Sequence, residues 1–344
     1  MRRTTLGHTT LGHSAVAVTR LSFGGAAIGN LYAPVAPERA AAAVDAAWEA
    51  GIRYFDTAPH YGLGLSERRL GEALRDRPRA EFTLSTKAGR LLEPALPATA
   101  GDASPGDGLD HGFAVPATHR RVWDFSADGV RRSVEESLER LGLDRIDLVY
   151  LHDPDDHAEA AFRQAYPALE RLRAEGVVGA IGAGMNQTAM LTRFLRDTDA
   201  DAVLCAGRFT LLDQSALTEL LPEATARGRS VVVGGVFNSG LLADPRPGAT
   251  YDYTAAPPAL LDRALRIDAV TRRYGIPLRA AALRYPLRHP AVASVLVGAR
   301  SAAEVRDAVA LADRTVPDDL WAELCDEGLL EGEGGAPPAG GTGR

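Results

Sequence analysis

Cysteine is nearly missing from this chain. Cys205 and Cys325 are the only two, too few for a disulfide framework and without the C-x-x-C spacing that zinc or thiol exchange would use. Positive charge is also short, with 38 Lys and Arg against 45 Asp and Glu and a net charge of -7. The arginine pairs Arg120-Arg121 and Arg131-Arg132 stand among acidic residues and read as solvated surface, so neither nucleic acid nor an anionic membrane is an expected partner. No apolar run approaches the ~18 residues of a membrane span, and the arginines at the start are followed by no apolar stretch. These absences predict neither insertion nor secretion, and point to a reducing cytoplasm. The dinucleotide fingerprint G-x-G-x-x-G is lacking too, since Gly24-Gly25-Ala26-Ala27 does not complete it.

What is present is a composition 46% hydrophobic and 24% charged, enough apolar residues for a sizeable core. Residues 9–24 read as a short hairpin around Gly12-His13 leading into a first core strand that ends at Gly24-Gly25. Strand and helix patterns then alternate. Strands are predicted at 53–56, 82–87, 146–151, 178–183, 202–205, 230–234 and 294–297, separated by helices that include 38–50, 127–141, 260–274 and 302–311. Eight such units predict an α/β fold, a closed (β/α)8 TIM barrel spanning residues 1–330 as one unit. Two segments break the rhythm. Residues 88–126 are rich in Gly, Pro and Asp and are predicted to form a long loop over the barrel mouth, and 331–344 form a low-complexity tail predicted to be disordered.

In such a barrel chemistry belongs at the carboxyl ends of the strands. Asp56 closes the second strand, Tyr61 follows five residues later, Lys87 closes the third and His152 follows the fourth. Each residue alone is more often packing than catalysis, but together they suit hydride transfer at a carbon bearing oxygen, which requires a proton to move on that oxygen. Tyrosine, with an unperturbed pKa near 10, needs a neighbouring ammonium to act as a base. Lys87 would supply it and Asp56 would hold the lysine. His152 would orient the substrate oxygen, with its other ring nitrogen setting the tautomer. No metal is required.

The stretches Asp56-Thr-Ala-Pro-His-Tyr61-Gly-Leu-Gly-Leu-Ser-Glu67, Ser85-Thr-Lys87 and Leu151-His152 closely resemble the aldo-keto reductase superfamily, over nearly the whole chain. The resemblance implies that Asp56, Tyr61, Lys87 and His152 form a catalytic tetrad and that NAD or NADP lies extended across the rim. It places Gly24, Gly25 and Asp56 near the cofactor, and Met185-Asn186 as the pair whose asparagine bonds the carboxamide. Asn186 suits a helix N-cap equally well. Gly234, Gly235, Phe237 and Ser239 follow the seventh strand, where free amides would cradle a pyrophosphate. Gly298, Arg300 and Ser301 lead into a helix whose N-terminus suits a phosphate.

The sequence departs from the family at Gly234, where relatives often stack an aromatic residue on the nicotinamide. It departs again at Glu304, often an arginine where a 2′-phosphate is held. A carboxylate there repels that phosphate and favours NAD, whereas Arg300 leaves NADP open.

The stretches Arg121–Ser126, Gly182–Gln187, Ala206–Gln214 and Val236–Gly240 are similar to a subgroup of aldose 1-dehydrogenases acting on L-fucose, L-galactose and D-threo-aldoses, with pyridoxal 4-dehydrogenase close by. This implies a small sugar or aldehyde as substrate, oxidised at its C1 hemiacetal to the lactone. Trp123 and Phe125 either stack on the sugar or form a satellite core under the loop. His60 and Asp124 are candidates for hydroxyl contacts. An NADPH-dependent aldehyde reductase is the nearest alternative, and a non-catalytic nucleotide-binding barrel a more distant one. The sequence carries no signal for an oligomeric state.

Overall fold

The structure, a computed structural model, describes residues 7–95, 111–252 and 254–331. Eight parallel strands close a barrel: β1 (Leu21–Gly24), β2 (Tyr54–Asp56), β3 (Thr83–Ala88), β4 (Ile146–His152), β5 (Val178–Met185), β6 (Ala202–Ala206), β7 (Ser230–Gly234) and β8 (Val292–Gly298). Neighbours in space follow chain order, with β8 pairing β1 through Val295↔Leu21 to close the ring. Each crossover carries a helix on the outside, which is how parallel strands bury both faces.

The strand period of two sorts the side chains. Phe23, Phe55, Leu84, Val149 and Ile181 point outward into the large core shared with the helices. Tyr54, Leu148, Tyr150, Ala180, Leu204 and Val232 fill the barrel's interior. The inward row of β2 runs on from Tyr54 to Asp56, and that of β4 from Leu148 and Tyr150 to His152. Alternation therefore delivers polar groups to the same rim from different strands.

The hairpin at the start (His8–Thr10 with Ala17–Thr19) closes the opposite end. Leu11 and Val18, both fully buried, pack with the interior residues. The Gly12 amide donates to Ser230 Oγ at 2.9 Å, and Thr83 Oγ1 donates to the Ala17 carbonyl at 2.6 Å, so the plug is bonded to the starts of β7 and β3.

One expectation is corrected and one helix is added. The 88–126 segment is not plain loop: Arg90–Pro94 and His119–Trp123 form an antiparallel hairpin, pairing Arg90 with Trp123 and Leu92 with Arg121. Of the stretch joining the two strands, residues 96–110 lie outside the described residues. A helix at Asp318–Asp326, unread in the sequence, packs Leu320, Trp321 and Leu324 into the outer core. The tail expected to be disordered also lies outside the described residues, apart from Glu331, whose amide donates to Gln214 Oε1 at 3.2 Å.

Candidate active site

A hydrogen-bonded column runs up the barrel interior to the rim. The Tyr150 and Tyr54 hydroxyls lie 3.3 Å apart, and Tyr54 lies 3.0 Å from Ser85 Oγ. Ser85 Oγ donates to Asp56 Oδ1 at 2.7 Å, and Lys87 Nζ donates to Asp56 Oδ2 at 2.7 Å and to the Thr57 carbonyl at 2.9 Å. Asp56 and Lys87 are both buried, so each has its charge matched where solvent cannot reach it. Burial opposes the Lys87 ammonium, but Asp56 and Tyr61 outweigh it, and the lysine pKa is raised. Lys87 Nζ sits 4.6 Å from the Tyr61 ring centroid.

Tyr61 is carried by the turn between β2 and the helix Leu65–Leu74. At Gly62, φ is +63° and an added Cβ would lie 2.2 Å from the Gly29 carbonyl oxygen, so only glycine lets this turn press onto the neighbouring loop. Phe113 stacks on the Tyr61 ring at 6.0 Å, and His152 meets it edge-on at 5.9 Å. Tyr61, Lys87 and His152 thus converge on one point at the carboxyl ends of β2, β3 and β4.

His152 is buried, and burial followed by the charges of Arg90 and Lys87 and by His60 keeps its pKa well below the ordinary value. The ring stays neutral at physiological pH. The expected tautomer-setting bond from its other nitrogen is not made: Nδ1 is buried without a hydrogen-bond partner among the described residues.

The remaining sequence candidates separate. His60 stands in the site, its ring 5.6 Å from His152. Phe125 is buried in the outer core, whereas Trp123 is 44% exposed and lies over the Arg90 guanidinium at 4.1 Å. Asp124 faces its own chain, with Oδ1 accepting from the Ser126 amide and hydroxyl at 2.9 and 2.6 Å. That engagement, and not a free carboxylate, is what the segment before the helix Ala127–Leu141 requires.

On the cofactor side, Met185 is a buried core side chain. Asn186 does not cap the next helix, whose N-cap is Gln187 and has no side-chain bond. Gly25 answers to its own chain, since a Cβ there would sit 2.6 Å from Ser66 Oγ and 2.7 Å from the Asp56 carbonyl. Gly24 pairs with Gly298 across the β1–β8 seam, and Gly298 is exposed at the rim. After β7, the amides of Gly235, Val236 and Phe237 donate to nothing among the described residues, and Asn238, Ser239 and Gly240 all have positive φ. Three successive unspent amides make an anion cradle, so this stretch fits a pyrophosphate. At Gly234 an added Cβ would meet only Leu204 at 3.6 Å, which leaves open the space an aromatic side chain would take.

The helix Ala302–Ala312 begins with Ser301 Oγ accepting from the Glu304 amide at 3.3 Å, while Glu304 Oε2 accepts from the Arg300 amide at 2.8 Å. Glu304 Oε1 also lies 3.6 Å from the Arg300 guanidinium. The one arginine that sequence reasoning left for a 2′-phosphate is therefore already matched by Glu304.

Three residues of the site went unread in the sequence: Ser85, which seats Asp56, and Arg90 and Asp153, which form an ion pair beside His152. Their signal was position alone, next to strand-end residues already singled out.

A model of the aldo/keto reductase family matches residues 20–326. The chain belongs to that family. Among its relatives, D-threo-aldose 1-dehydrogenase of a Pseudomonas species is 48% identical over 92% of this chain and 96% of its own length. Pyridoxal 4-dehydrogenase of Microbacterium luteolum is 42% identical over 93% of this chain and 97% of its own. Of solved structures, an aldo-keto reductase from Bacillus halodurans in its holo form superposes with a TM-score of 0.71 at 27% identity, covering 93% of this chain and 96% of that one. This aldo/keto reductase is an oxidoreductase built on the barrel that its strand alternation predicts.

Proposed function

We propose that this aldo/keto reductase oxidises the C1 hemiacetal of an aldose to the lactone, with NAD as the favoured cofactor. The observation that carries the reading is the meeting of Tyr61, Lys87 and His152 at one rim, with Lys87 held by Asp56. Similarity to a D-threo-aldose 1-dehydrogenase supports the substrate class, and the Glu304–Arg300 pairing supports NAD over NADP, because a 2′-phosphate would have to displace a carboxylate.

A nicotinamide cofactor held along the rim, its pyrophosphate at Gly235–Phe237, would supply the acceptor for the hydride leaving C1. The chain's own groups manage the oxygen. Tyr61 takes the anomeric hydroxyl proton, and the Lys87 ammonium beside it stabilises the phenolate that makes the ring a base. Asp56 fixes that ammonium and balances its charge inside the barrel. His152, neutral, donates to the same oxygen and sets the C1–H bond toward the rim. Phe113, itself buried, stacks on the Tyr61 ring and holds it in place.

Turnover of a panel of L-fucose, L-galactose, D-threo-aldoses, pyridoxal and simple aldehydes, with NAD and with NADP, followed by nicotinamide absorbance, tests the reading. Aldose oxidation with NAD is expected to dominate. Turnover confined to NADPH with simple aldehydes would reverse both direction and substrate class. Tyr61→Phe is expected to lower kcat by about 1,000-fold while cofactor still binds. A non-catalytic nucleotide-binding barrel would show no turnover for the variant to lose.

A further inference from the structure

Beside His152 lies a second charged pair that the tetrad does not include. Asp153 follows His152 directly, with φ at +43° and its amide donating to the Gly184 carbonyl at 3.0 Å, so its position is fixed by the end of β4. Its Oδ2 lies 3.7 Å from His152 Nε2, the ring nitrogen opposite the buried Nδ1. The same oxygen is paired with a guanidinium nitrogen of Arg90, which reaches over from the hairpin at the barrel mouth. Arg90 is mostly buried, its Nε has no partner among the described residues, and its planar face rests on Trp123 at 4.1 Å.

Two needs compete at this point. Asp153 is half-buried at the barrel mouth, where a carboxylate gains from a charged partner, and besides Arg90 the imidazole is within reach of it. The substrate oxygen needs that imidazole neutral, with Nε2–H unspent. Nδ1 has no hydrogen-bond partner among the described residues, so none of them resists, from the far side of the ring, a shift of its proton toward Asp153.

We infer that Arg90 is a positioning residue for this reaction: by claiming the Asp153 carboxylate it withholds it from His152 and leaves the Nε2–H edge to the substrate oxygen. The charged and titratable groups around the imidazole are Lys87 from β3, Tyr61 and His60 from the turn after β2, Arg90 from the hairpin and Asp153 just past the end of β4. Among the described residues, Arg90 is the cation bound to the carboxylate that competes for the ring. The inference rests on the role proposed for His152 above.

Kinetics and imidazole nitrogen spectra of Arg90→Met, Arg90→Lys and the double variant Arg90→Met/Asp153→Asn test it. Arg90→Met is expected to lower kcat about 100-fold with a smaller change in KM. The double variant is expected to return to within about tenfold of the parent, because removing the carboxylate removes the need for Arg90. Arg90→Lys, which keeps a cation and is the milder change for folding, is expected to fall between. In ligand-free protein labelled with 15N-histidine, His152 is expected to titrate between about pH 5 and pH 9 only in Arg90→Met, and to stop titrating in the double variant.

The inference is overturned if the double variant is no faster than Arg90→Met, or if His152 in Arg90→Met fails to titrate. The spectra need no turnover. If no aldose is oxidised at all, they still report on the ion pair, which separates failure of this inference from failure of the proposed reaction.

Discussion

His60 shows how the site treats single residues. Burial first, then the charges of Arg90 and Arg121 and, more weakly, those of His111 and Lys87, bring its pKa down from 6.5 to about 2. The folded protein therefore holds this ring neutral in a range where the unfolded chain binds a proton. Because the folded pKa is the lower one, stability rises with pH between about 2 and 6.5 and is flat above. At pH 5 the ring costs about 2 kcal/mol of stability relative to pH 7, and His152 adds to the same slope. Urea unfolding of the parent and His60→Gln between pH 7 and pH 5 checks this. The variant is expected to lose less stability on acidification by about that amount, and parallel curves would contradict it. The low pKa was not legible in the sequence, which places His60 one residue from Tyr61 but shows neither the burial nor the cations that hairpin and barrel bring around it.

At the scale of elements, Glu67 joins three of them. It is fully buried on the helix Leu65–Leu74, accepting from Thr86 Oγ1 of β3 at 2.8 Å and from Arg140 Nε of the helix Ala127–Leu141 at 2.5 Å. Thr86 points outward while its neighbours Ser85 and Lys87 point inward, so one strand serves the helix layer and the site by alternation. Glu67→Ala leaves Arg140 without its buried partner and is expected to cost about 3–5 kcal/mol in chemical denaturation. Glu67→Gln, which keeps the Thr86 bond, is expected to cost less. The same three elements carry the Tyr61 turn and Lys87, so Glu67→Ala is also expected to lower kcat. The sequence displays Glu67 at the end of its most family-like stretch without showing what it binds. Arg140 lies 73 residues away and arrives only through helix packing.

Across the whole molecule, the two ends of the barrel have different tasks. The rim at the carboxyl ends carries the site, and the opposite end is sealed by the hairpin whose Leu11 and Val18 enter the interior core. Leu11→Ala is expected to destabilise by about 2–5 kcal/mol, since the cavity it leaves is walled by strands that cannot collapse into it. At 25 °C its kcat and KM are expected to stay close to the parent's. A thermal midpoint that does not fall, or a kcat that falls with it, would show that the two ends are not independent in this way.

The sequence by itself determined the eight-strand alternation, the boundaries of elements such as Ala127–Leu141 and Ser230–Gly234, and the candidates Asp56, Tyr61, Lys87 and His152. Period-two and period-3.6 patterning and strand-end position are local, so they can be read along the chain. Tertiary structure decided what depends on encounter. It sent Phe125 and Met185 into the core and kept Trp123 at the surface, engaged Asp124 within its own turn, and spent Glu304 on Arg300. It also folded a hairpin from the segment that looked like loop, and so set Arg90 against Asp153 beside the imidazole. Charges and rings so far apart in the chain have no local signature, because their energies depend on distance and burial, which only the closed barrel sets.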